Sequence, residues 1–196
     1  MTRADNFDKE SKEMLKLTPH ERMIRLTSII TKQFRETDIK PIIVGGLAVE
    51  IYTRGHYTTR DIDIITPGRY EIGKFLTEEL GFKKLGRSWY NEELEISIEI
   101  PSNAIDGSED KTIKVNLPSG GTVYVIGLED IIVHRLESAT VNHRDNPEYS
   151  DDYEWAQRMF EIHKADNELI DKDYLMSASS DEKVVSIIKE WIESNQ

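Results

Sequence analysis

The sequence predicts an α+β fold: a mixed β-sheet flanked by helices, with a helical C-terminal part. Apolar and polar residues alternate strictly through residues 94–100, which is typical of a β-strand. Short apolar runs bounded by glycine or proline recur between residues 41 and 126, and after Gly127 the apolar period changes to that of a helix. We therefore expect an α/β core with N-terminal helices over residues 1–126 and a helical part over residues 127–196.

The N-terminal residues predict two helices. Residues 3–17 are mostly charged and indicate a short helix in which Met14 and Leu15 are packed. Thr18 followed by Pro19 and Glu21 has the pattern of a capping box with proline at the first helical position. The apolar spacing after it predicts a helix that extends to about residue 36.

The remaining elements follow from the same two periodicities and from the glycine and proline residues that end them. The core is predicted to contain, in chain order, strand 41–44, helix 46–53, strand 61–66, helix 69–80, short strands at 82–85 and 89–90, strand 94–100, and the hairpin strands 112–117 and 122–126. The C-terminal part is predicted to contain helices at about 128–141, 149–165, 171–178 and 181–194.

Composition narrows the class of protein. The 37 acidic and 25 basic residues give a net charge of −12, which disfavours broad binding to nucleic acid but leaves room for a local basic groove. The absence of cysteine excludes disulfides, zinc–thiolate sites and thiol nucleophiles. No apolar run approaches the ~20 residues of a membrane span, and the N-terminal residues lack the apolar segment of a signal peptide. We expect a cytoplasmic protein that does not bind a membrane.

The most informative segment runs from residue 45 to residue 63. Gly45 and Gly46 follow an apolar run and precede a short amphipathic segment, so their backbone N–H groups lie at a helix N-terminus, where phosphate binds readily. Asp61 and Asp63 stand two apart in the next strand, so both carboxylates point to the same face. Carboxylates in this arrangement suit a hard cation such as Mg²⁺ that also binds substrate phosphates.

The order of these features is more restrictive than either feature alone. Asp-x-Asp in a strand is usually a solvated face, and Gly-Gly after a strand is usually a turn. The glycines are not followed by Gly-Lys-Ser/Thr, which excludes a Walker A loop, and Gly-x-Gly-x-x-Gly is absent, which excludes a dinucleotide fingerprint. Together the features indicate phosphoryl or nucleotidyl transfer.

On these residues the chain resembles the nucleotidyltransferase superfamily related to DNA polymerase beta, and within it the AbiEii-like and minimal nucleotidyltransferase branches of toxin–antitoxin and phage-defence systems. The family pattern is Gly-Gly or Gly-Ser, a helix, Thr-x-Asp-hydrophobic-Asp, and a third acidic residue on a later strand. The resemblance implies the nucleotidyltransferase fold, Mg²⁺ (or Mn²⁺) as cofactor and a nucleoside triphosphate as substrate. The matching residues are Gly45, Gly46, Thr59, Asp61, Asp63 and, as we expect, Glu99.

The chain departs from the family pattern at one position and offers two candidates for another. The family often has an arginine four residues before the first aspartate, where this chain has Tyr57, so Arg60 or Arg54 is expected to contact phosphate instead. Strand 94–100 offers Glu95 and Glu99 on its polar face, and we favour Glu99, which lies at the end of the strand, as the third metal ligand. Asp61, Asp63 and Glu99 are thus the predicted catalytic and metal-binding residues of a two-metal centre.

The helical part contributes two further candidates. Arg135 lies at the edge of the apolar stripe of helix 128–141, and Asp152 lies on the stripe of helix 149–165. An Arg135–Asp152 ion pair between the helices is one interpretation. In the other interpretation, Arg135 or Arg144 binds the substrate phosphates. The resemblance implies that a basic residue and an aspartate of the helical part reach the nucleotide.

The predicted function is a metal-dependent nucleotidyltransferase that moves a nucleoside monophosphate to an acceptor hydroxyl. The acceptor is a protein hydroxyl, a tRNA 3′ end or a small molecule, and the acidic charge favours the protein and the small molecule over extended RNA. One alternative is a degenerate nucleotidyltransferase that binds a nucleotide or a partner without catalysis. Another is a non-enzymatic protein whose acidic surface docks a basic partner protein such as a toxin.

Overall fold

The computed structural model of this chain describes residues 3–166 and 169–194. The chain divides into two compact units. Unit 1 comprises Met1–Ile105 and Thr112–Val125, and unit 2 comprises Asp106–Lys111 and Ile126–Gln196. The segment Asp106–Lys111 therefore groups with the C-terminal helices, although it precedes the last two strands of unit 1 in the sequence.

The described residues of unit 1 form four helices and seven strands. The helices are α1 (Arg3–Met14), α2 (Pro19–Phe34), α3 (Gly45–Tyr52) and α4 (Arg69–Glu78). The strands are β1 (Ile42–Val44), β2 (Asp61–Ile65), β3 (Lys83–Leu85), β4 (Ser88–Asn91), β5 (Ile96–Glu99), β6 (Ile113–Asn116) and β7 (Thr122–Val125).

The seven strands form one mixed sheet in the order β3-β4-β5-β2-β1-β7-β6. Strand β2 pairs parallel with β5 and β1 pairs parallel with β7, while the other neighbouring pairs are antiparallel. The prediction of an α+β fold with a mixed sheet is confirmed. The strand order brings β2 and β5 together although about 30 residues separate them in the sequence, and this adjacency assembles the candidate site.

Alternating side chains build the core of unit 1. Ile62 and Ile64 of β2 and Ile98 of β5 are fully buried, because alternate residues of a strand share one face. Helix α2 begins as predicted: the Thr18 side chain accepts a hydrogen bond from the Glu21 N–H, and the Glu21 carboxylate accepts one from the Thr18 N–H. This capping box satisfies donors that the first helical turn leaves unpaired.

Two details of the sequence prediction need correction. Met14 is buried as expected, but Leu15 is 40% exposed because α1 ends at Met14. The strand predicted at 94–100 is shorter, because Glu95 has a φ of 54° and only Ile96–Glu99 is extended. A positive φ is incompatible with strand geometry, so Glu95 does not lie on the polar face of the strand.

Unit 2 is helical. It contains a 3₁₀ turn at Glu109–Lys111, then helix α5 (Leu128–Asn142), a 3₁₀ turn at Pro147–Tyr149, and helices α6 (Asp151–His163), α7 (Lys172–Ser177) and α8 (Glu182–Glu193). Its core includes Leu136, Phe160 and Ile188, all fully buried. No helix in the described ranges is both long enough and apolar enough to cross a membrane.

Candidate functional site

Asp61 and Asp63 open the central strand β2. Strand alternation buries Ile62 and Ile64 and leaves Asp61 exposed and Asp63 half-buried. Both carboxylates therefore lie on one face of the sheet, as the sequence spacing predicts. Aspartate is a poor strand former, so its presence twice in a central strand is explained better by chemistry at this face than by the stability of the sheet.

Glu99 lies directly beside Asp63. In the parallel pairing of β2 with β5, Asp63 is opposite Glu99 and Asp61 is opposite Ser97. Side chains of directly opposed residues point to the same face of a sheet, so Asp63 and Glu99 are neighbours on the face that also carries Asp61. Glu95 precedes the strand and is exposed, which makes it a surface carboxylate.

A hydroxyl group that the sequence analysis missed contacts Glu99. Ser88 is the first residue of β4 and lies opposite Glu99 in the antiparallel pairing of β4 with β5. Its Oγ donates a hydrogen bond of 2.6 Å to Glu99 Oε1. The only signal in the sequence is that Ser88 alternates with the apolar Trp89, which places it on the polar face of β4, but its partner depends on the strand order.

The Gly-Gly turn packs against the aspartate strand. Gly45 has a φ of 60°, in the left-handed region that glycine tolerates best. A Cβ atom built on Gly45 would lie 2.2 Å from Asp63 Oδ2, which is closer than two atoms that are not covalently bonded can approach. Gly45 is thus required twice, once for its backbone conformation and once for the close approach of the backbone to the Asp63 carboxylate.

Gly46 faces the loop that precedes β2. A Cβ on Gly46 would lie 3.1 Å from Thr59 Oγ1 and 3.2 Å from Tyr57 Cε1, which is tight but less severe than at Gly45. Thr59 Oγ1 also accepts a hydrogen bond of 3.2 Å from the Asp61 N–H. Thr59 therefore fixes the start of β2 beside the glycines, and Tyr57, at the sequence position where the family pattern often has an arginine, lies beside Gly46.

Helix α3 starts at Gly45 without a side-chain cap. Val44 is at the N-cap position and has no side chain that accepts a hydrogen bond from the first turn. The first N–H groups of a helix have no partner within the helix, and they carry partial positive charge. The N-terminus of α3 therefore offers donors to an anion next to Asp63. Arg60, the other predicted phosphate contact, is exposed immediately before β2.

Arg135 and Asp152, the residues of unit 2 that are predicted to contact the nucleotide, form an ion pair with each other. Arg135 Nη1 of α5 donates to Asp152 Oδ1 of α6 at 2.6 Å, and Ser138 Oγ donates to Asp152 Oδ2, also at 2.6 Å. The interhelical ion pair predicted from the sequence is thus present. It joins α5 to α6 within unit 2, and a role for Arg135 and Asp152 in nucleotide binding stays a prediction.

Asp61, Asp63 and Glu99 share one face of the sheet, which we call the acidic face. The chemistry of this face suits a hard cation. Asp61, Asp63 and Glu99 supply only oxygen atoms, which Mg²⁺ and Mn²⁺ prefer, and the Gly45 backbone leaves room beside Asp63 that any side chain would fill. Among residues 3–166 and 169–194, no three histidine or acidic side chains converge closely enough to hold a metal ion as they stand.

Comparison with known proteins identifies the fold. No family model matches the sequence, and no curated protein is detectably similar in sequence. The crystal structure of an antigenic nucleotidyltransferase-like protein from Paracoccidioides brasiliensis is similar, with a TM-score of 0.55 at 12% identity over 86% of this chain and 92% of that chain.

Structures of the antibiotic-resistance factor ANT(2″)-Ia are more distant. The solution structure has a TM-score of 0.48 at 15% identity over 88% of this chain and 90% of that chain. The crystal structure in complex with adenylyl-2″-tobramycin has a TM-score of 0.47 at 15% identity over 88% and 97% of the two chains. The chain has the nucleotidyltransferase fold, and Asp61, Asp63 and the Gly-Gly turn lie within it.

Proposed function

We propose that this chain is a metal-dependent nucleotidyltransferase that transfers a nucleoside monophosphate from a nucleoside triphosphate to an acceptor hydroxyl. The observation that carries the proposal is the adjacency of Asp63 and Glu99 on neighbouring parallel strands, with the Gly45 backbone packed against the Asp63 carboxylate. A paired carboxylate face beside an open helix N-terminus combines a cation site with an anion site, which is what a metal–triphosphate complex requires.

Each residue has a distinct part in this proposal. Asp61, Asp63 and Glu99 would hold Mg²⁺ or Mn²⁺, and the bound cation supplies charge neutralisation at the phosphates. Gly45 and Gly46 let the backbone of α3 approach the triphosphate. The acceptor oxygen attacks the α-phosphorus, the bond from that phosphorus to the bridging oxygen breaks, and pyrophosphate leaves. Glu99 is suited to accept the proton of the attacking hydroxyl, since a general base must lie within hydrogen-bond reach of it.

The acceptor is inferred from charge. With a net charge of −12, the protein repels a long polyanion, so we infer a protein hydroxyl or a small molecule in preference to a tRNA 3′ end. A role in a toxin–antitoxin system rests on the sequence resemblance and stays a prediction.

The alternative is a protein that binds a nucleotide or a partner without turnover. In the described ranges no three acidic or histidine side chains are grouped closely enough to hold a metal ion, which favours this alternative. Glu99 is the discriminating residue, because catalysis requires it, whereas Asp61 and Asp63 alone would still bind a metal–triphosphate complex, although more weakly.

Thermal shift with each of the four nucleoside triphosphates, with and without Mg²⁺ or Mn²⁺, tests the proposal. A ligand that binds only the folded state raises the melting temperature by mass action, so we expect a rise that needs both metal and triphosphate. Asp63→Asn should abolish this rise, whereas Asp38→Asn, a matched change on an exposed loop, should leave it unchanged. The proposal is wrong if no triphosphate gives a metal-dependent shift with the unmodified protein.

A further inference from the structure

We propose that Ser88 is a positioning residue that anchors Glu99 Oε1 and so keeps the Glu99 carboxylate beside Asp63, with its second oxygen available to a cation. This inference rests on the proposed function, because it concerns the same acidic face. It adds a residue outside the Gly-Gly and Asp-Ile-Asp segments, contributed by a strand that carries none of the predicted site residues.

The hydrogen bond between the two side chains has the geometry of a strong interaction. Ser88 Oγ lies 2.6 Å from Glu99 Oε1, a distance typical of a hydroxyl that donates to an ionised carboxylate. Both residues are half-buried, so water competes less for the carboxylate than at the surface. They are direct partners in the β4–β5 ladder, so their side chains lie next to each other on one face of the sheet.

The position of Ser88 is determined by its neighbours in β4. Trp89 is 3% exposed and packs so closely on α4 that a Cβ on Gly73 would lie 2.5 Å from Trp89 Cζ2. Asn91, also buried, donates from Nδ2 to the Leu80 carbonyl and accepts at Oδ1 from the Leu94 N–H. A shift of one residue in the register of β4 against β5 would turn Trp89 toward the acidic face. The contacts of Trp89 and Asn91 therefore fix the register that places Ser88 opposite Glu99.

The consequence for Glu99 follows from carboxylate chemistry. A carboxylate has two oxygens and several lone pairs, so a donor on Oε1 leaves Oε2 available to a cation. Ser88 is neutral and leaves the negative charge of Glu99 in place, whereas a lysine or arginine at the same position would cancel it. Hydrogen bonds from outside the metal's own ligands orient those ligands, and their loss typically costs about 10–100-fold in metal affinity or activity.

The test compares Ser88→Ala, which removes the hydroxyl, with Ser88→Thr, which retains it on a side chain that strands favour. The control is Thr122→Val. It removes another cross-strand hydrogen bond of the same sheet, from Thr122 Oγ1 to Asn116 Oδ1 at 3.1 Å between ladder partners of β6 and β7. Mn²⁺ binding in the presence of a non-hydrolysable triphosphate is measured by electron paramagnetic resonance, and melting temperatures are recorded alongside.

We expect Ser88→Ala to weaken Mn²⁺ binding about 10-fold or more, Ser88→Thr to restore it, and Thr122→Val to leave it unchanged. Equal Mn²⁺ affinity of Ser88→Ala and the unmodified protein would overturn the role of Ser88 while leaving the proposed function intact. Loss of affinity in Ser88→Thr to the same degree as in Ser88→Ala would also overturn it, because the hydroxyl would then not be the group that matters. Absence of triphosphate-dependent Mn²⁺ binding in the unmodified protein would instead reject the proposed function, and this inference with it.

Discussion

Two groups of acidic residues, one in each unit, lie in opposite environments. In unit 1, Asp61 is exposed, and Asp63 and Glu99 are half-buried on an open face of the sheet. In unit 2, Glu129 and Asp130 stand next to each other in the first turn of α5, and each is only 2% exposed. Each unit thus has a group of neighbouring acidic residues, but only the Glu129–Asp130 pair of unit 2 is enclosed by the fold.

Glu129 and Asp130 are satisfied by donors of their own unit. Glu129 Oε1 accepts from the Asp171 N–H at 2.7 Å and lies 3.4 Å from Lys111 Nζ. Asp130 accepts from the Tyr174 hydroxyl at 2.6 Å and from the Ser108 N–H at 3.1 Å. The N-terminus of a helix also favours negative charge. These carboxylates tie segment 106–111 and α7 to α5.

Perturbed pKa values accompany this enclosure. Burial, together with the hydrogen bond to Asp130, raises the pKa of Tyr174 above its ordinary value. Burial works to lower the pKa of Lys111, but the hydrogen bond and charge of Asp171 and the charge of Glu129 outweigh it, so that the pKa is raised. The hydrogen bond from Lys111 lowers the pKa of Asp171.

Enclosure by the fold distinguishes carboxylates that support the structure from carboxylates that remain able to bind a ligand. A buried carboxylate must be matched by internal donors, since an unmatched one costs several kcal/mol, and the matching uses its capacity to bind anything else. Carboxylates that stay partly open to solvent on a structured strand retain that capacity. Replacement of a carboxylate of the candidate site in unit 1 is thus expected to reduce activity, and replacement of Glu129 or Asp130 in unit 2 is expected to reduce stability.

The largest expected effect is that of Glu99→Gln on nucleotidyl transfer. The amide keeps the shape but removes the charge, and the loss of one carboxylate from a metal centre costs several kcal/mol of transition-state stabilisation. Transfer of label from α-labelled triphosphates to acceptors in a cell extract should fall by about a hundredfold or more, since each ~1.4 kcal/mol is tenfold.

Glu95→Gln is the matched control, four residues earlier in the chain and exposed, and should be near neutral. The melting temperature of Glu99→Gln should stay close to that of the unmodified protein. Loss of labelling in Glu95→Gln but not in Glu99→Gln would contradict the assignment of the third carboxylate.

Asp130→Ala should produce the largest loss of stability. It leaves the Tyr174 hydroxyl and the Ser108 N–H without their acceptor, and an unsatisfied buried polar group costs about 1–3 kcal/mol. We expect the free energy of unfolding to fall by about 2–4 kcal/mol, measured by urea denaturation. Asp110→Ala, a change at an exposed position of the adjoining 3₁₀ turn, should be close to neutral, and equal destabilisation by the two would refute the distinction between buried and exposed acidic residues.

Gly45→Ala should disrupt the candidate site specifically. Gly45 and Gly55 both have positive φ, at 60° and 81°, but a Cβ on Gly55 meets no atom within 4 Å whereas one on Gly45 meets the Asp63 carboxylate. Both substitutions incur backbone strain of about 1 kcal/mol, and only Gly45→Ala adds a clash, at a cost of about 1–3 kcal/mol. Gly45→Ala should therefore abolish the metal-dependent thermal shift, and Gly55→Ala should retain it.

The smallest expected effect is that of Tyr174→Phe, at about 1 kcal/mol for the lost hydrogen bond. The pKa of Tyr174 is raised in the folded state, so its contribution is fully present below the unfolded pKa of about 10 and is lost as pH rises through the folded value. Unfolding free energies between pH 8 and pH 11 should decline less steeply in Tyr174→Phe than in the unmodified protein. An unchanged slope would show that Tyr174 ionises equally in both states.

Local sequence patterns predicted most of the fold. The capping box at Thr18 defines where α2 starts because its hydrogen bonds join residues three apart, and the spacing of Asp61 and Asp63 determines their shared face because strand side chains alternate. The change of period after Gly127 likewise separates the sheet from the C-terminal helices. These features depend on neighbours in the chain, which is why sequence alone suffices to predict them.

The candidate site itself depended on strand order, which sequence periodicity does not encode. Only the tertiary structure decided that β5 lies beside β2 with Glu99 opposite Asp63, that Ser88 reaches Glu99 from β4, and that a side chain at Gly45 would collide with Asp63. The sequence by itself identified the candidate residues for metal and phosphate binding and the face that Asp61 and Asp63 share. Which of those residues meet was decided by pairing between strands far apart in the chain, since that pairing results from packing of the whole unit and not from local preference.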